Sequence, residues 1–395
     1  RRCCNFRRFR LRLLISKGQA FACPLYFYKR YIHMARRIDI VQNYLKEKNI
    51  DALLLKSKTM KKWMSTMTGS GCKILITQSK GYLILDGRYL TEAKETEFDL
   101  EIVLHNPHTT GRNYLAAVER LLKEENCKNL GVEADEVLVN EYEQMKQLGV
   151  DICLLDEDIM NLRIVKDSEE IAAMRKTIAM TDDIYSKVIE HIRVGMTEYE
   201  ISALVQYYSI ASGAQQMSFD TIVSSGERTA LPHGRPTGRR VKAHEPIMID
   251  FGIQYNNYQS DMTRVCFIGE PEERYKKIYD VVLEAQLAGL KAIKEGALAS
   301  DCDQAARQVI VDAGYGEYFD HGLGHGIGVT DSNEGPILNS KSQTVLKEGM
   351  MMSCEPGIYI PGVGGIRIED DVLIENGVGV PLNKTTKDYI ILEEK

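Results

Sequence analysis

Four carboxylates interrupt strand-like segments that are otherwise apolar or rich in glycine, and this feature limits the folds open to the chain. The first two occur in residues 246–251 and 260–267, which a Tyr-Asn-Asn-Tyr turn separates. Apolar segments on both sides of a short polar turn predict a β-hairpin. A turn centred between Tyr255 and Asn256 would place Asp250 directly opposite Asp261. Like charges in that position destabilise a sheet, so the pattern predicts a bound positive charge.

A second acidic hairpin is predicted further along the chain. Its turn is Pro-Gly-Val-Gly-Gly, and a centre at Gly362 places Glu355 opposite Glu369. Between the hairpins lies His-Gly-Leu-Gly-His, residues 321–325, where the glycines allow the backbone to pass close to a ligand. A divalent cation would remove the repulsion within each acidic pair. The predicted metal ligands are Asp250, Asp261, His325, Glu355 and Glu369.

Four carboxylates and one imidazole form a set of mostly hard oxygen ligands. Such a set is typical of two bridged ions rather than of a structural zinc, with Mn(II) expected first and Co(II), Zn(II) or Fe(II) as alternatives. Two ions can share a water, lower its pKa and polarise a carbonyl. Each feature alone has a simpler interpretation: surface aspartates, an exposed acidic run at residues 369–371, or a histidine in a turn. The agreement between the two hairpins favours a metal centre.

The chain divides into three parts. Residues 1–33 form a basic leader that we expect to be disordered or non-native. Residues 34–157 alternate predicted helices and strands, which indicates a small α/β domain. The predicted strands are residues 49–55, 73–77, 81–86, 130–133 and 151–155, and the predicted helices are one that starts near Met34 and those of residues 114–124 and 140–148. From Ser168 onward, longer helices with acidic first turns interleave with glycine-rich β segments, so residues 158–395 are predicted to form an α+β domain. A chain of 395 residues is expected to need more than one hydrophobic core.

Charge and cysteine usage restrict the partners and the compartment. The first 37 residues hold 11 basic residues and no acidic one, which leaves 39 basic against 56 acidic residues in the remainder. This acidic body argues against nucleic acid or an anionic membrane as partner. Nine cysteines without C-x-x-C spacing favour a reducing compartment. We expect a cytoplasmic protein, or a mitochondrial one if the leader is a transit peptide.

The motifs around these residues resemble the pita-bread metallopeptidases, which include aminopeptidase P, prolidase and methionine aminopeptidase. The resemblance covers nearly everything from Met34 onward. It rests on IDFG at residues 249–252, SDMTR at 260–264, HGLGHGIG at 321–328, CEPGIYI at 354–360 and IRIEDD at 366–371. The resemblance implies a C-terminal pita-bread domain preceded by a smaller creatinase-type α/β domain. It also implies that the five predicted ligands bind two metal ions.

Further roles are expected for residues around the predicted metal ions, and the resemblance gives those of two histidines. His233 and His321 match histidines that hydrogen-bond the substrate or the tetrahedral intermediate. Glu355 would take a proton from a bridging hydroxide nucleophile and return it to the leaving amine. Arg367 lies two residues before Glu369 on the same strand face, so we expect it to orient that carboxylate or to bind an acidic end of the substrate. One departure stands out, because the family has a second substrate-binding histidine seven residues after the ligand histidine and this chain has Ser332 there.

The creatinase-type domain favours the branch of the family that cleaves Xaa-Pro bonds. We therefore expect hydrolysis of peptides with proline at the second position, as an aminopeptidase P or as a prolidase, by a homodimer. The alternatives are a pita-bread hydrolase without proline specificity, such as a general aminopeptidase or a creatinase-like enzyme, and a non-catalytic binding protein of the same fold. A nucleotide-binding protein is disfavoured, because residues 322–328 do not fit G-x-G-x-x-G.

Overall fold

The structure, a computed structural model, describes residues 24–96, 99–105, 114–155, 157–330 and 334–394. The N-terminal half contains six helices and six strands within these ranges. The helices are α1 (Pro24–Lys48), α2 (Lys58–Trp63), α3 (Leu90–Glu95), α4 (Leu115–Glu124), α5 (Val139–Met145) and α6 (Glu157–Asn161). The strands are β1 (Ala52–Leu55), β2 (Lys73–Thr77), β3 (Gly81–Leu85), β4 (Glu101–Leu104), β5 (Asn129–Glu133) and β6 (Asp151–Leu155).

These strands form one six-stranded mixed sheet in the order β4-β3-β2-β1-β5-β6. The pairs β1–β2 and β2–β3 are antiparallel, and the other neighbours are parallel. Helices cross between the parallel strands, as expected for an α/β arrangement. The short elements α2, α3 and β4 were not among the predicted ones, because segments of four to six residues show too little periodicity to be recognised.

The C-terminal half has four long helices and twelve strands within the described ranges. The helices are α7 (Ser168–Ile189), α8 (Glu198–Ala211), α9 (Glu273–Ala292) and α10 (Ala299–Asp312). The strands are β7 (Gln216–Met217), β8 (Ile222–Ser225), β9 (Ile247–Phe251), β10 (Ile253–Tyr255), β11 (Tyr258–Gln259), β12 (Met262–Ile268), β13 (Met351–Cys354), β14 (Gly357–Ile360), β15 (Gly364–Arg367), β16 (Asp370–Glu375), β17 (Val378–Pro381) and β18 (Ile390–Leu392).

The strands of this half form several small sheets that carry the acidic segments. One sheet has the order β18-β12-β9-β8, a second has β13-β16-β17, β14 pairs with β15, and β11-β10-β7 form a fourth. The helices α7 and α8 each begin with a capping box, formed by Asp167 with Glu170 and by Thr197 with Glu200. Reciprocal capping satisfies otherwise unpaired amides and fixes the first residue of each helix.

The first acidic hairpin has a different register from the predicted one. Its turn is the two-residue Asn256-Asn257, with φ of 49° and 70°, and Asp250 pairs with Thr263 rather than with Asp261. Positive φ at both turn residues is typical of tight hairpins, and asparagine tolerates it. The predicted turn centre was therefore one residue too early. A displacement of two residues along the partner strand keeps both aspartates on the same face of the hairpin.

The second acidic hairpin has the predicted register. Gly357 pairs with Arg367 in one ladder and Cys354 pairs with Asp370 in the adjoining ladder. Glu355 and Glu369 lie between the two ladders, in the opposed positions that the prediction gave them. The alternative interpretation of residues 369–371 as an exposed acidic run is wrong, because all three side chains are buried.

One hydrophobic cluster joins the two halves of the chain. It contains Ile38, Leu53 and Trp63 from the first half, and Ile327 and Met351 from the second. Separate clusters lie under α9 and α10 and under α7 and α8. The strand that precedes Glu355 and the segment that follows His325 therefore pack directly on the N-terminal half.

The predicted leader overlaps a helix. Residues 1–23 lie outside the described residues, whereas residues 24–33 form the start of α1, which continues to Lys48. Among the described residues, six cysteines are present and all are free. No described helix combines the length and the apolar character that crossing a membrane requires.

Candidate metal centre and active site

All the residues that the sequence analysis selected for metal or substrate binding line one cavity of about 810 Å³. They reach it from separate parts of the chain, since β9 and the start of β12 carry the aspartates and the segments around β13 to β16 carry the glutamates. The histidines come from the loops before β9 and before β13. The cavity is lined by His233, Asp250, Asp261, His321, His325, Glu355, Arg367 and Glu369, with other residues.

Three of the predicted ligands form a compact group. Asp261, His325 and Glu369 each offer one ligand atom, and these atoms lie within 4.8 Å of one another. The Nε2 atom of His325 lies 3.6 Å from Oδ2 of Asp261 and 3.4 Å from Oε1 of Glu355. Asp250 lines the same cavity beside them. The structure therefore brings the five predicted ligands together.

Three buried carboxylates around this group are incompletely paired. Burial raises the pKa of Asp250, and burial together with the neighbouring carboxylates raises the pKa of Asp261 and Glu369 well above the ordinary values. One buried oxygen on each of these three side chains has no hydrogen-bond donor among the described residues. Buried carboxylates are normally paired with a cation or with donors. These free oxygens and the imidazole fit hard divalent cations as ligands.

Arg367 is a buried residue that contacts Asp250. Its Nη2 donates to Oδ2 of Asp250, Nε donates to Oγ1 of Thr263 at 3.0 Å, and Nη1 donates to the hydroxyl of Tyr359 at 2.9 Å. The sequence suggested that Arg367 orients Glu369, but it reaches that residue only through Thr263, whose hydroxyl donates to Oε2 of Glu369 at 2.6 Å. Arg367 thus fixes one carboxylate directly and a second one through a hydroxyl.

The two histidines expected to bind substrate have different surroundings. Burial lowers the pKa of His321, so its imidazole is neutral at neutral pH. Its Nδ1 lies 2.8 Å from the carbonyl of Gly322, and Nε2 lies 2.9 Å from the hydroxyl of Tyr359. His233 is exposed at the cavity wall. In this conformation His233 is therefore the more accessible of the two imidazoles.

Three residues of the site were not identified from the sequence. Tyr359 links Arg367 to His321, Thr263 links Arg367 to Glu369, and Asp371 accepts the amide of Asp261 at 3.0 Å. The hairpin register could have identified Thr263, because it is the residue opposite Asp250. Nothing in the local sequence distinguishes Tyr359 from a packing residue.

Ser332, which replaces the expected second histidine, lies outside the described residues. The next described residue is Glu334, a buried side chain that pairs with Arg163 and with Lys166, each at 3.1 Å. These two ion pairs attach the chain after Ser332 to the segment that connects the two halves. The resemblance implies that Ser332, Asn333 or a neighbour replaces the contact of the missing histidine with substrate, or that the Xaa-Pro specificity is altered, and this stays a prediction.

Comparisons with known proteins agree with this architecture. Residues 172–376 match metallopeptidase family M24, and residues 37–165 match the creatinase/prolidase N-terminal domain. The Xaa-Pro dipeptidase of Pyrococcus furiosus is 34% identical over 360 residues, which cover 90% of this chain and 100% of that protein. The predicted combination of a creatinase-type domain and a pita-bread domain is confirmed.

Solved structures give the same result. The Xaa-Pro dipeptidase from Bacillus anthracis has a TM-score of 0.86 and 35% identity, covering 91% of this chain and 100% of that one. The X-Pro aminopeptidase from Thermotoga maritima has a TM-score of 0.80 and 34% identity, covering 87% of this chain and 98% of that one. Sequence, fold and site together establish that the chain is a metallopeptidase of family M24.

Proposed function

We propose that this metallopeptidase hydrolyses the Xaa-Pro bond at the N-terminus of peptides or in dipeptides. The observation that carries the proposal is the convergence of five ligand side chains on one cavity, where three of the carboxylates keep an unpartnered oxygen. Similar proteins named Xaa-Pro dipeptidase and X-Pro aminopeptidase support the bond specificity. A non-catalytic binding protein is disfavoured, because such a protein would have no need to keep every ligand.

In this proposal Asp250, Asp261, His325, Glu355 and Glu369 hold two divalent cations. The bound cations would polarise the scissile carbonyl and make hydroxide available at neutral pH. Mn(II) is the proposed metal because oxygen ligands predominate, with Co(II), Zn(II) and Fe(II) as the alternatives.

The side chains around the cavity have separate proposed roles. Glu355 takes the proton of the attacking nucleophile and returns it to the leaving amine, and its carboxylate lies 3.4 Å from His325 at the edge of the ligand group. His233 donates to the substrate or to the oxyanion from the accessible wall. His321 acts there only if it exchanges its contact with Tyr359 for one with substrate. Arg367 orients Asp250, and its positive charge opposes the rise that burial causes in the pKa of Asp250.

We further propose a homodimer in the cytoplasm. The resemblance to prolidases supports the dimer, and the free cysteines of the described residues are in keeping with a reducing compartment. A functional transit peptide in the leader would place the enzyme in mitochondria instead. The peptide substrates carry proline at the second position, and neither nucleic acid nor membrane is a proposed partner.

The test compares wild type with Glu355→Ala. Both proteins are freed of metal with a chelator, reloaded with Mn(II), Co(II) or Zn(II), and given Gly-Pro, a longer Xaa-Pro peptide and the matching Xaa-Ala peptide. We expect the wild type to cleave the proline substrates only after reloading, and Glu355→Ala to be slower by about 10²–10⁴-fold, the usual effect of losing a general acid–base group.

The panel also separates the rival functions. Equal cleavage of Xaa-Ala and Xaa-Pro peptides would indicate a peptidase without proline specificity. Near-normal turnover by Glu355→Ala, or full activity of wild type without metal, would contradict the proposed chemistry itself.

A further inference from the structure

A buried ion pair on α10 lies behind the cavity wall. Arg307 binds Asp303 with two parallel hydrogen bonds, from Nε to Oδ2 at 2.9 Å and from Nη2 to Oδ1 at 3.0 Å. The carboxylate is fully buried and the guanidinium is 22% exposed. Neither residue lines the cavity. A bidentate arginine–carboxylate pair has a fixed geometry, so it can hold other groups in fixed positions.

Both members of this pair also bind the backbone of the segment 319–325, which ends at the proposed ligand His325. Arg307 donates from Nη1 to the carbonyl of Phe319 and from Nη2 to the carbonyl of His321, each at 2.6 Å. Oδ1 of Asp303 accepts the amide of Leu323 at 2.9 Å. The guanidinium carbon lies 4.1 Å from the ring centroid of Phe319. Three alternate residues of the segment are therefore fixed by one pair of side chains.

Leu323 connects this pair to the predicted ligands. Its amide binds Asp303, and its carbonyl accepts the amide of Glu355 at 2.8 Å. Two residues further on, the amide of His325 donates to the hydroxyl of Ser353 at 3.0 Å, and the His325 carbonyl accepts the Ser353 amide at 2.7 Å. The segment is thus held between α10 on one side and the end of β13 on the other.

The composition of the segment explains why it needs such contacts. In residues 321–328 every second residue is glycine, and glycine loses more conformational freedom on ordering than any other residue. A Cβ on Gly324 would lie 2.1 Å from the Ser353 carbonyl, so glycine is required there for close approach. The required glycines leave the segment with little stiffness of its own, and external hydrogen bonds have to supply it.

We propose that Asp303 and Arg307 are positioning residues for the metal centre. They fix the backbone of residues 319–323, and through Leu323 they set the positions from which His325 and Glu355 reach the metal ions. The inference rests on the proposed function, because it concerns the same ligands. Groups that orient metal ligands change metal affinity by about 10–100-fold when they are mutated. A pair that served only the stability of α10 would not have this effect.

The chain offers a matched control for that distinction. Arg239 and Glu245 form another bidentate pair, with a guanidinium 21% exposed against 22% for Arg307. That pair makes no described hydrogen bond to residues 319–325 and does not line the cavity. Arg239→Met therefore removes a comparable ion pair without touching the segment.

The experiment measures Mn(II) binding by isothermal titration of manganese chloride into chelator-treated full-length protein. The proteins are wild type, Arg307→Met, Arg307→Lys and Arg239→Met, and the thermal unfolding midpoint of each metal-free protein is recorded. We expect both methionine variants to unfold at lower temperature. Of the two methionine variants, only Arg307→Met should bind Mn(II) more weakly, by about 10-fold or more, while Arg239→Met stays within about twofold of wild type. Arg307→Lys keeps the charge but not the fork, so an intermediate loss is expected.

The outcomes separate this inference from the proposed function. If wild type binds no Mn(II), the titration is repeated with Co(II) and Zn(II), and both ideas fail if wild type binds none of the three. If wild type binds metal and Arg307→Met binds it as tightly as Arg239→Met does, the positioning role is overturned and the proposed function stands. Should Arg307→Met fail to fold, Arg307→Lys decides the matter, and wild-type affinity in that variant would overturn the inference.

Discussion

Glu369 and Asp370 are neighbours in the chain and both are buried, yet their surroundings are opposite. Asp370 accepts hydrogen bonds from Arg264 at 2.6 Å, from Lys387 at 2.7 Å and from Gln286 at 2.9 Å. Burial alone would raise the pKa of Asp370, but the positive charges of Arg264 and Lys387 lower it below its ordinary value. The carboxylate is therefore ionised and fully paired within the protein.

Glu369 faces the cavity, where one hydroxyl, that of Thr263, is its described donor. Its second oxygen has no partner in the described part of the chain, and burial with Glu355 and Asp250 nearby raises the pKa of Glu369 well above its ordinary value. The comparison teaches that the chain supplies two cations of its own to Asp370, which stabilises the fold. At Glu369 its described residues supply no cation within hydrogen-bond distance, which favours a cation from solution.

The largest effect should come from Asp370→Asn. This change leaves Arg264 and Lys387 without their carboxylate, and removing one partner of a buried ion pair costs about 3–5 kcal/mol of the free energy of unfolding. Urea unfolding of the metal-free protein measures the loss. A loss below about 1 kcal/mol would show that Asp370 is not the structural carboxylate of the two.

The next largest effect should come from Glu369→Gln, which should weaken metal binding without lowering the stability of the metal-free protein. We expect Mn(II) affinity to fall by about 100-fold or more, because a ligand matters at least as much as the groups that orient ligands. The free energy of unfolding without metal should stay unchanged or rise, since the substitution removes one of several mutually repelling charges. Titration with Mn(II) tests the expected loss of affinity, and urea unfolding tests the expected stability. A loss of metal-free stability as large as that of Asp370→Asn would erase the distinction.

The smallest effect should be a pH dependence of metal-free stability. Asp261 and Glu369 have pKa values raised by burial, so the folded protein binds protons more tightly than the unfolded chain does. Such groups stabilise the fold below their ordinary pKa, and this stabilisation disappears as pH rises through the raised values. Metal-free wild type should therefore gain stability as pH is lowered from neutral toward pH 5, and Glu369→Gln should gain less. If the free energy of unfolding had the same pH dependence in both proteins, the raised pKa of Glu369 would be contradicted.

Much of the fold was predictable because its long elements have strong sequence patterns. The strands at residues 73–77 and 151–155 match the predictions, and α7 begins at the predicted Ser168. The second acidic hairpin was placed correctly because its glycine-rich turn has an evident centre. The first was misplaced because Tyr-Asn-Asn-Tyr permits two centres, and only the positive φ of both asparagines selects the later one.

The convergence of the five residues proposed as ligands on one cavity was predictable because each belongs to a local motif, and their supporting contacts were not. Arg367 contacts Asp250 across 117 residues of chain, and Arg307 of α10 donates to the carbonyl of His321 in the following loop. Such contacts depend on how helices and sheets pack, which no local pattern of residues encodes. The resemblance to a family identified the residues that face the cavity, but not what holds them in place.

The hydrophobic cluster that joins the two halves has a consequence for how the enzyme can be altered. Ile327 and Met351 lie two and four residues from His325 and Glu355, and both are packed in the cluster that contains Leu53 and Trp63. The N-terminal half therefore supports the segments that carry His325 and Glu355. A shortened enzyme that begins after residue 157 would expose Ile327 and Met351 to water. The C-terminal half is therefore not expected to be stable when it is expressed alone.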